Sequence, residues 1–134
     1  MAFRRFIKRI LAKILHERLM FEVKRLYYRH AIRSFWESDT EPIKHLVAPG
    51  DSVIDIGAHV GWYTFLLANL VGRCGRVYSV EPMPETYALL SSIVRSLHLE
   101  NVETINCAVS DEDSYAVMEV PFDDSQRPNL YRAR

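Results

Sequence analysis

One stretch of the chain, residues 50–81 (GDSVIDIGAHVGWYTFLLANLVGRCGRVYSVE), constrains its fold more than any other. Residues 53–56 (VIDI) follow a Pro-Gly-Asp turn and form a short, mostly β-branched apolar run, which is typical of a strand buried in a parallel sheet. The loop Gly57–Gly61 then leads into an apolar helix, and residues 76–80 (RVYSV) form a second strand. A strand, a helix and a second strand in this order predict an α/β fold with a parallel sheet.

The loop and the acidic end of the second strand predict a site for a nucleoside-type cofactor. Ligands of open parallel sheets bind beyond the carboxyl ends of the strands. Gly57 and Gly61 have no Cβ, so the backbone there can turn sharply and a ligand can approach it closely. Glu81 offers two carboxylate oxygens, which can accept hydrogen bonds from two vicinal ribose hydroxyls. The loop is Gly-x-x-x-Gly with His59 at its centre, whereas dinucleotide sites use Gly-x-Gly-x-x-Gly, so a nicotinamide or flavin dinucleotide fits poorly.

Three segments in a fixed order carry a resemblance to a known family. The sequences DIGAHVGWYT, VYSVEPMPETYALL and NVETINCAVSD resemble the class I S-adenosylmethionine-dependent methyltransferases, and among them the FkbM family. The resemblance covers roughly residues 40–120. It implies a Rossmann-like methyltransferase sandwich of about seven strands. Members of the FkbM family typically carry Asn at the position of His59.

The resemblance also implies a chemistry and a set of site residues. The cofactor is expected to be S-adenosylmethionine and the acceptor a hydroxyl oxygen of a small molecule, sugar or lipid-like compound. Asp55 is expected to orient the loop or the methionine amine, and Ala108 is expected to contact the adenine ring. No residue stands out as a catalytic base. The expected cofactor-binding residues are Asp55, Gly57, Ala58, His59, Gly61, Glu81 and Ala108.

The first 37 residues form a separate basic segment. They hold ten Lys or Arg and three Glu, a net charge of +7, although the whole chain has a net charge of zero. Apolar residues recur every three or four positions from residue 1 to about residue 33, which predicts a long amphipathic helix. We expect this helix to pack on the rest of the chain or on a second copy; a basic helix on anionic lipid is the alternative. Nucleic-acid binding is a weaker option, because no recognised motif accompanies the basic residues.

The remaining residues, 38–134, are assigned to a partial S-adenosylmethionine-binding domain. A helix is predicted from Pro84, a third strand over residues 101–110, and a weaker fourth strand over residues 115–120, before a polar tail. Nothing after Asp111 resembles the later strands of the family. The first strand would then be an exposed edge, which natural proteins avoid. We therefore expect either a truncated product or a second chain that completes the sheet, and truncation is the preferred hypothesis.

Other functional classes find little support. Cys74 and Cys107 are far apart in sequence, which is typical of reduced thiols in a cytoplasmic protein. The five His are scattered without metal-ligand spacing, so no metal site is predicted. The leading hypothesis is therefore an S-adenosylmethionine-dependent methyltransferase or its cofactor-binding half. The alternative is a non-catalytic cofactor-binding or interaction module, tethered to a membrane or a partner through the basic helix.

Overall fold

A computed structural model of the protein describes residues 2–34, 40–112, 115 and 117–120. Within them the chain forms four α-helices and three β-strands. The helices are α1 (Ala2–Ala31, continued by a 3-10 turn at Ile32–Ser34), α2 (Thr40–Leu46), α3 (Trp62–Val71) and α4 (Pro84–Ser96), and the strands are β1 (Ser52–Ile56), β2 (Arg76–Val80) and β3 (Val102–Ile105). The long N-terminal helix and the strand–loop–helix–strand unit lie where the sequence predicts them.

The three strands form one parallel sheet in the order β1-β2-β3. Val53, Val77 and Val102 are neighbours across the sheet, and the pairing of β1 with β2 runs to Ile56 opposite Val80. The α/β, Rossmann-like class is thus confirmed, with a short sheet preceded by a long helix. In the described part of the chain, β1 is an edge strand.

Both connecting helices cover the same face of the sheet. Leu67, Ala68 and Val71 of α3 pack on a face that includes Val53, Val77 and Val102, and Leu90 and Val94 of α4 pack near the same Val102. This arrangement follows from two crossovers of the same hand between strands in sequential order. The opposite face is open at β1, where the side chains of Ile54 and Ile56 are 65% and 64% exposed.

Helix α1 packs on the rest of the chain through its C-terminal part. Phe21 and Tyr28 pack against a buried cluster formed by Ile32, Val60, Leu89 and Ile93, so the end of α1 rests on α4. Residues 10–20 are all exposed, although several of them are large and apolar. The expected packing of this helix on the rest of the chain is therefore confirmed for the end that includes Phe21 and Tyr28. No helix in the described ranges is both long and apolar enough to cross a bilayer.

The third strand is shorter than the sequence predicts. It ends at Ile105 rather than near Ser110, because its pairing partner ends there: the Glu81 N–H donates to the Ile105 carbonyl oxygen at 3.0 Å, and Pro82 has no N–H. The Asn106 side chain then donates to the carbonyl oxygens of Glu81 and Pro82 at 2.7 and 3.1 Å and replaces the next ladder bonds.

The weak fourth strand is not found. Residue 115 and residues 117–120 have no strand conformation, and many of them are exposed. A strand there would need a partner edge, and the alternation that predicted it was weak. The polar tail predicted after Val120 lies outside the described residues.

Candidate active site

The glycine loop of residues 57–61 is anchored to the end of the second strand. The backbone N–H groups of Gly57 and Ala58 both donate to the Val80 carbonyl oxygen, at 2.9 and 3.0 Å. The Gly61 N–H donates to the Ala58 carbonyl oxygen at 2.8 Å, which closes the loop on itself before α3 begins. The loop is therefore held above the carboxyl ends of β1 and β2, where ligands of parallel sheets bind.

Three residues of the loop have a left-handed backbone conformation. Gly57, His59 and Gly61 have φ values of 77°, 51° and 96°. The two glycines serve different needs. A Cβ on Gly57 would meet open space, so only its φ requires glycine, whereas a Cβ on Gly61 would lie 2.8 Å from Leu90 Cδ1. Gly61 thus lets the loop and α3 pack closely on α4.

Glu81 lies at the centre of the site and is almost completely buried. Its side chain is 5% exposed, and both carboxylate oxygens accept backbone N–H groups. The His59 N–H donates to Oε2 at 2.9 Å and the Met83 N–H donates to Oε1 at 3.0 Å. Because a carboxylate has about four acceptor positions, these two bonds fix its orientation and leave positions for two ligand hydroxyls. This geometry fits a ribose with vicinal hydroxyl groups.

Asp55 belongs to a network of polar side chains under the loop. Thr64 Oγ1 donates to Asp55 Oδ2 at 2.6 Å, and the same hydroxyl lies 2.9 Å from Ser79 Oγ. Burial raises the pKa of the Asp55 carboxyl above its usual range, the Thr64 hydrogen bonds oppose this rise, and the Glu81 carboxylate adds to it. The carboxyl ends of β1 and β2 therefore bring two acidic side chains together.

His59 contributes its backbone to this arrangement through the bond to Glu81. Its ring is half-buried, and burial lowers the pKa of the imidazole below its usual value while the Glu81 carboxylate opposes that change. A positive φ is uncommon for a residue with a side chain, and Asn, Asp and His are among those found there most often.

A cavity of about 730 Å³ is lined by residues 82–84 and 106–110, the segments that follow Glu81 and β3. Its walls include Met83, the segment from Asn106 to Ser110 and the side chain of Tyr115. Ala108 lies in this wall. The cavity begins at Pro82, the residue directly after Glu81, so it lies on the β2–β3 side of the candidate site.

The structure brings several of the predicted site residues together. Gly57, His59 and Glu81 are joined by the loop and its hydrogen bonds, while Asp55 lies beside Glu81 at the end of the neighbouring strand. The side chain of Ala58 is buried in the core next to Leu90, and its N–H donates to the Val80 carbonyl oxygen. Ala58 therefore contributes to the site by holding the loop backbone in place. Cofactor contacts of each of these residues, of Gly61 and of Ala108 stay predictions.

Several residues of the site have no motif that would reveal them in the sequence. Thr64 and Ser79 are small polar residues in a mostly apolar helix and a mostly apolar strand, and nothing in their spacing distinguishes them from other polar residues of those elements. Met83 acts through its backbone N–H, and Asn106 acts through carbonyl groups of a neighbouring strand end. Within the described ranges, no group of three His, Cys, Asp or Glu side chains could hold a metal ion.

Comparison with known proteins places this geometry in a family context. The family model described as the TRM5/TYW2 methyltransferase domain matches residues 15–124. A protein-L-isoaspartate O-methyltransferase 2 of Archaeoglobus fulgidus is 34% identical over 74 residues, which are 55% of this chain and 32% of the relative. A protein-L-isoaspartate O-methyltransferase of Caenorhabditis elegans is 36% identical over 69 residues, which are 52% of this chain and 30% of the relative. The chain thus spans about a third of the length of these curated relatives.

Solved structures give partial matches as well. An S-adenosylmethionine-dependent O-methyltransferase of Thermotoga maritima has a TM-score of 0.47 and 30% identity, and the match covers 52% of this chain and 28% of that protein. The Pyrococcus horikoshii protein TYW2, solved in complex with MeSAdo, has a TM-score of 0.40 and 25% identity, and the match covers 46% of this chain and 24% of that one.

Proposed function

The chain belongs to the family of the TRM5/TYW2 methyltransferase domain, whose methyl donor is S-adenosylmethionine, and on this basis we propose that it binds that cofactor on the glycine loop and Glu81 and transfers its methyl group to an oxygen acceptor. The single observation that carries the proposal is the buried carboxylate of Glu81. Two backbone N–H groups hold it in one orientation beside the loop, with capacity left for two hydroxyls.

The residues of this site have distinct tasks in the proposal. Glu81 binds the ribose hydroxyls, and the cavity next to Ala108 receives the adenine. Gly57 allows the methionine part to approach the backbone, and Asp55 lies on that side of the loop. When bound, the cofactor supplies an electrophilic sulfonium methyl group, which a nucleophile displaces in line. The protein's contribution is then mainly to position the reacting groups.

The narrower assignment to the FkbM family is part of the proposal. It rests on the segments DIGAHVGWYT, VYSVEPMPETYALL and NVETINCAVSD, and it favours a hydroxyl oxygen of a small molecule, sugar or lipid-like compound as the acceptor. The names of the curated relatives support transfer to oxygen, but they point to a carboxyl oxygen of an isoaspartyl protein instead. The TRM5/TYW2 family name adds tRNA as a third acceptor to test.

Cofactor binding is tested first by calorimetric titration of the purified chain with S-adenosylmethionine. We expect the wild type to bind with a dissociation constant below about 1 mM, which corresponds to roughly −4 kcal/mol. Glu81→Ala should abolish this heat, because the ribose loses its acceptor. Glu85→Ala is the matched control, since Glu85 is an exposed carboxylate in the first turn of α4.

Thermal melting followed by circular dichroism shows whether each variant is folded. A folded wild-type chain that gives no heat with S-adenosylmethionine would contradict the proposal. Equal binding by the wild type and a folded Glu81→Ala variant would contradict the role of Glu81. Transfer of labelled methyl groups to hydroxyl compounds, an isoaspartyl peptide and tRNA then identifies the acceptor.

A second candidate function is a non-catalytic module tethered through α1. The observation that favours it is the exposed stretch of residues 10–20 in this basic helix, in which Ile10, Leu11, Ile14, Leu15 and Leu19 are 42–69% exposed. Co-sedimentation of the chain with vesicles of anionic or neutral lipid tests the membrane form of this proposal. Binding to anionic vesicles that falls at high salt would support it, because screening weakens attraction between exposed charges.

A separate proposal concerns β1, an edge strand in the described part of the chain, which is suited to receive a further strand from a second chain. Sedimentation velocity of the purified chain tests it, since a chain that completes its own sheet by association will not sediment as a monomer. A monomer at every concentration would contradict association with a second copy.

A further inference from the structure

Two hydroxyl side chains under the glycine loop are completely buried. Thr64 in the first turn of α3 and Ser79 in β2 both have 0% exposure, and their oxygens lie 2.9 Å apart. Thr64 Oγ1 is also 2.6 Å from Asp55 Oδ2. One chain of contacts therefore joins β2, α3 and the end of β1 directly below the candidate site.

The hydrogen bonds among Ser79, Thr64 and Asp55 can run in only one direction while Asp55 is ionised. A carboxylate only accepts, so Thr64 must give its single hydroxyl proton to Asp55. Thr64 then has no proton for Ser79, so Ser79 must donate to Thr64. Both hydroxyl dipoles thus point toward the Asp55 carboxylate, which also accepts a hydrogen bond from the Thr64 backbone. Because a carboxylate has about four acceptor positions, these bonds fix its orientation and leave positions for a different partner.

The order of the strands indicates which part of the cofactor that partner is. Glu81 ends β2 and is placed for the ribose, while the cavity by Ala108 lies on the β3 side. A ligand that extends from the cavity across Glu81 reaches β1 with its remaining part. For S-adenosylmethionine that part is the methionine, whose ammonium group is a cation suited to a carboxylate.

We propose that Thr64 and Ser79 are positioning residues that orient Asp55 toward the ammonium group of the methionine part of S-adenosylmethionine. The inference rests on the proposed function, since it assigns a task within the same cofactor site. It predicts that loss of the Thr64 hydroxyl weakens binding of the methionine part and leaves binding of the nucleoside part unchanged.

A ligand that lacks the methionine part separates this role from a purely structural one. The chain is titrated with S-adenosylmethionine and with 5′-methylthioadenosine, which keeps the adenosine but has no amino-acid group. We expect Thr64→Val to raise the dissociation constant for S-adenosylmethionine at least tenfold and that for 5′-methylthioadenosine less than twofold. Thr64→Ser keeps the hydroxyl and should restore the wild-type ratio.

Ser79→Ala gives a second and milder test, because it removes a hydroxyl without adding bulk. We expect the same selective loss at about threefold, since Thr64 still donates to Asp55 but is no longer oriented by Ser79. Ser91→Ala is the matched control: Ser91 is a buried serine of α4 that accepts a hydrogen bond from Arg95. It should leave both constants unchanged.

The outcomes separate the inference from the proposed function. Equal weakening of both ligands in folded Thr64→Val, or weakening of neither, would overturn the inference while the cofactor site stands. So would a wild type that binds both ligands equally tightly. A folded wild type that binds neither ligand would overturn the proposed function itself. If Thr64→Val does not fold, the Ser79→Ala ratio decides in the same way.

Discussion

The two faces of the sheet differ in how completely other parts of the chain cover them. On the face covered by α3 and α4, valines of all three strands pack into one core, and the polar residues Thr64 and Ser79 are paired with each other. On the other face, Ile54 and Ile56 are mostly exposed, although they belong to β1, the strand that also contributes Val53 to the core. Parallel sheets are normally covered on both faces.

The hydrogen bonds that hold the candidate site do not involve the side chains of Ile54 and Ile56 on the exposed face. Glu81, His59 and the loop are held by bonds to β2, to Met83 and to one another, and none of these bonds involves the open face. The open face contributes apolar surface without a partner in the described part of the chain. The predictions below test how far the two faces are independent.

The largest difference is expected between Leu90 and Ile54. Leu90 is fully buried beside Ala58 and Val94, so Leu90→Ala should lower the free energy of unfolding by about 2–5 kcal/mol. Ile54→Ala removes a side chain that is 65% exposed and should change it by less than about 0.5 kcal/mol. Urea denaturation followed by circular dichroism measures both. A cost above about 2 kcal/mol for Ile54→Ala would mean that the open face is covered in solution.

The next comparison lies within the loop, between Gly61 and Gly57. Gly61→Ala would force a side chain onto a φ of 96° and bring a Cβ to 2.8 Å from buried Leu90, at a cost of about 2–3 kcal/mol. Gly57→Ala has the same kind of backbone strain but open space around the Cβ, so we expect about 1–2 kcal/mol. Urea denaturation of both variants gives the difference. Equal costs would show that contact with α4 does not limit position 61.

Asn101 lies at the end of the sheet opposite the candidate site, where it joins the start of β3 to the end of α3. Its Nδ2 donates to the carbonyl oxygens of Ala68 and Gly72 at 2.8 and 2.9 Å, which satisfies the C-terminal turn of α3. Asn101→Ala should therefore lower the free energy of unfolding by about 1–2 kcal/mol. The control is Asn69→Ala, since Asn69 is exposed and bonds within its own helix. A control effect as large as that of Asn101 would contradict the assigned link.

Asp55→Asn is expected to raise stability by roughly 0.5–2 kcal/mol at neutral pH. Burial raises the folded-state pKa of Asp55, so the wild type becomes less stable as pH rises from the unfolded pKa of about 3.9 through the folded value. Asn carries no charge and can still accept the Thr64 hydrogen bond. The gain should shrink toward zero as pH falls to about 4, and thermal melts between pH 4 and pH 8 measure it. A gain that is constant with pH would exclude the ionisation of Asp55 as its source.

Much of this fold could be predicted from the sequence because its signals are local. The apolar run of β1, the glycine at the start of α3 and the acidic end of β2 each depend on neighbouring residues, and these elements lie at the predicted positions. Glu81 was identified because a carboxylate followed by Pro82 is conspicuous at the end of an apolar strand.

What the sequence could not predict depends on contacts between distant residues. The bond between Thr64 and Ser79 joins a helix and a strand that are 15 residues apart, and no spacing rule connects them. The early end of β3 is set by Pro82, which belongs to the neighbouring strand's continuation. Residues 10–20 of α1 are exposed although the apolar periodicity continues through them, because periodicity does not indicate how much of a helix finds a partner surface.

Trp62 gives the molecule an optical reporter. Its indole lies edge-on to the Tyr28 ring, with centroids 6.1 Å apart, and it follows directly after Gly61 of the loop. Trp36 is the other tryptophan in the chain, so a Trp36→Phe variant would emit from Trp62 alone. The emission of that single indole would respond both to release of α1 from α4 and to ligand entry beside the loop. One fluorescence trace can therefore follow the docking of the N-terminal helix and the filling of the site in the same sample.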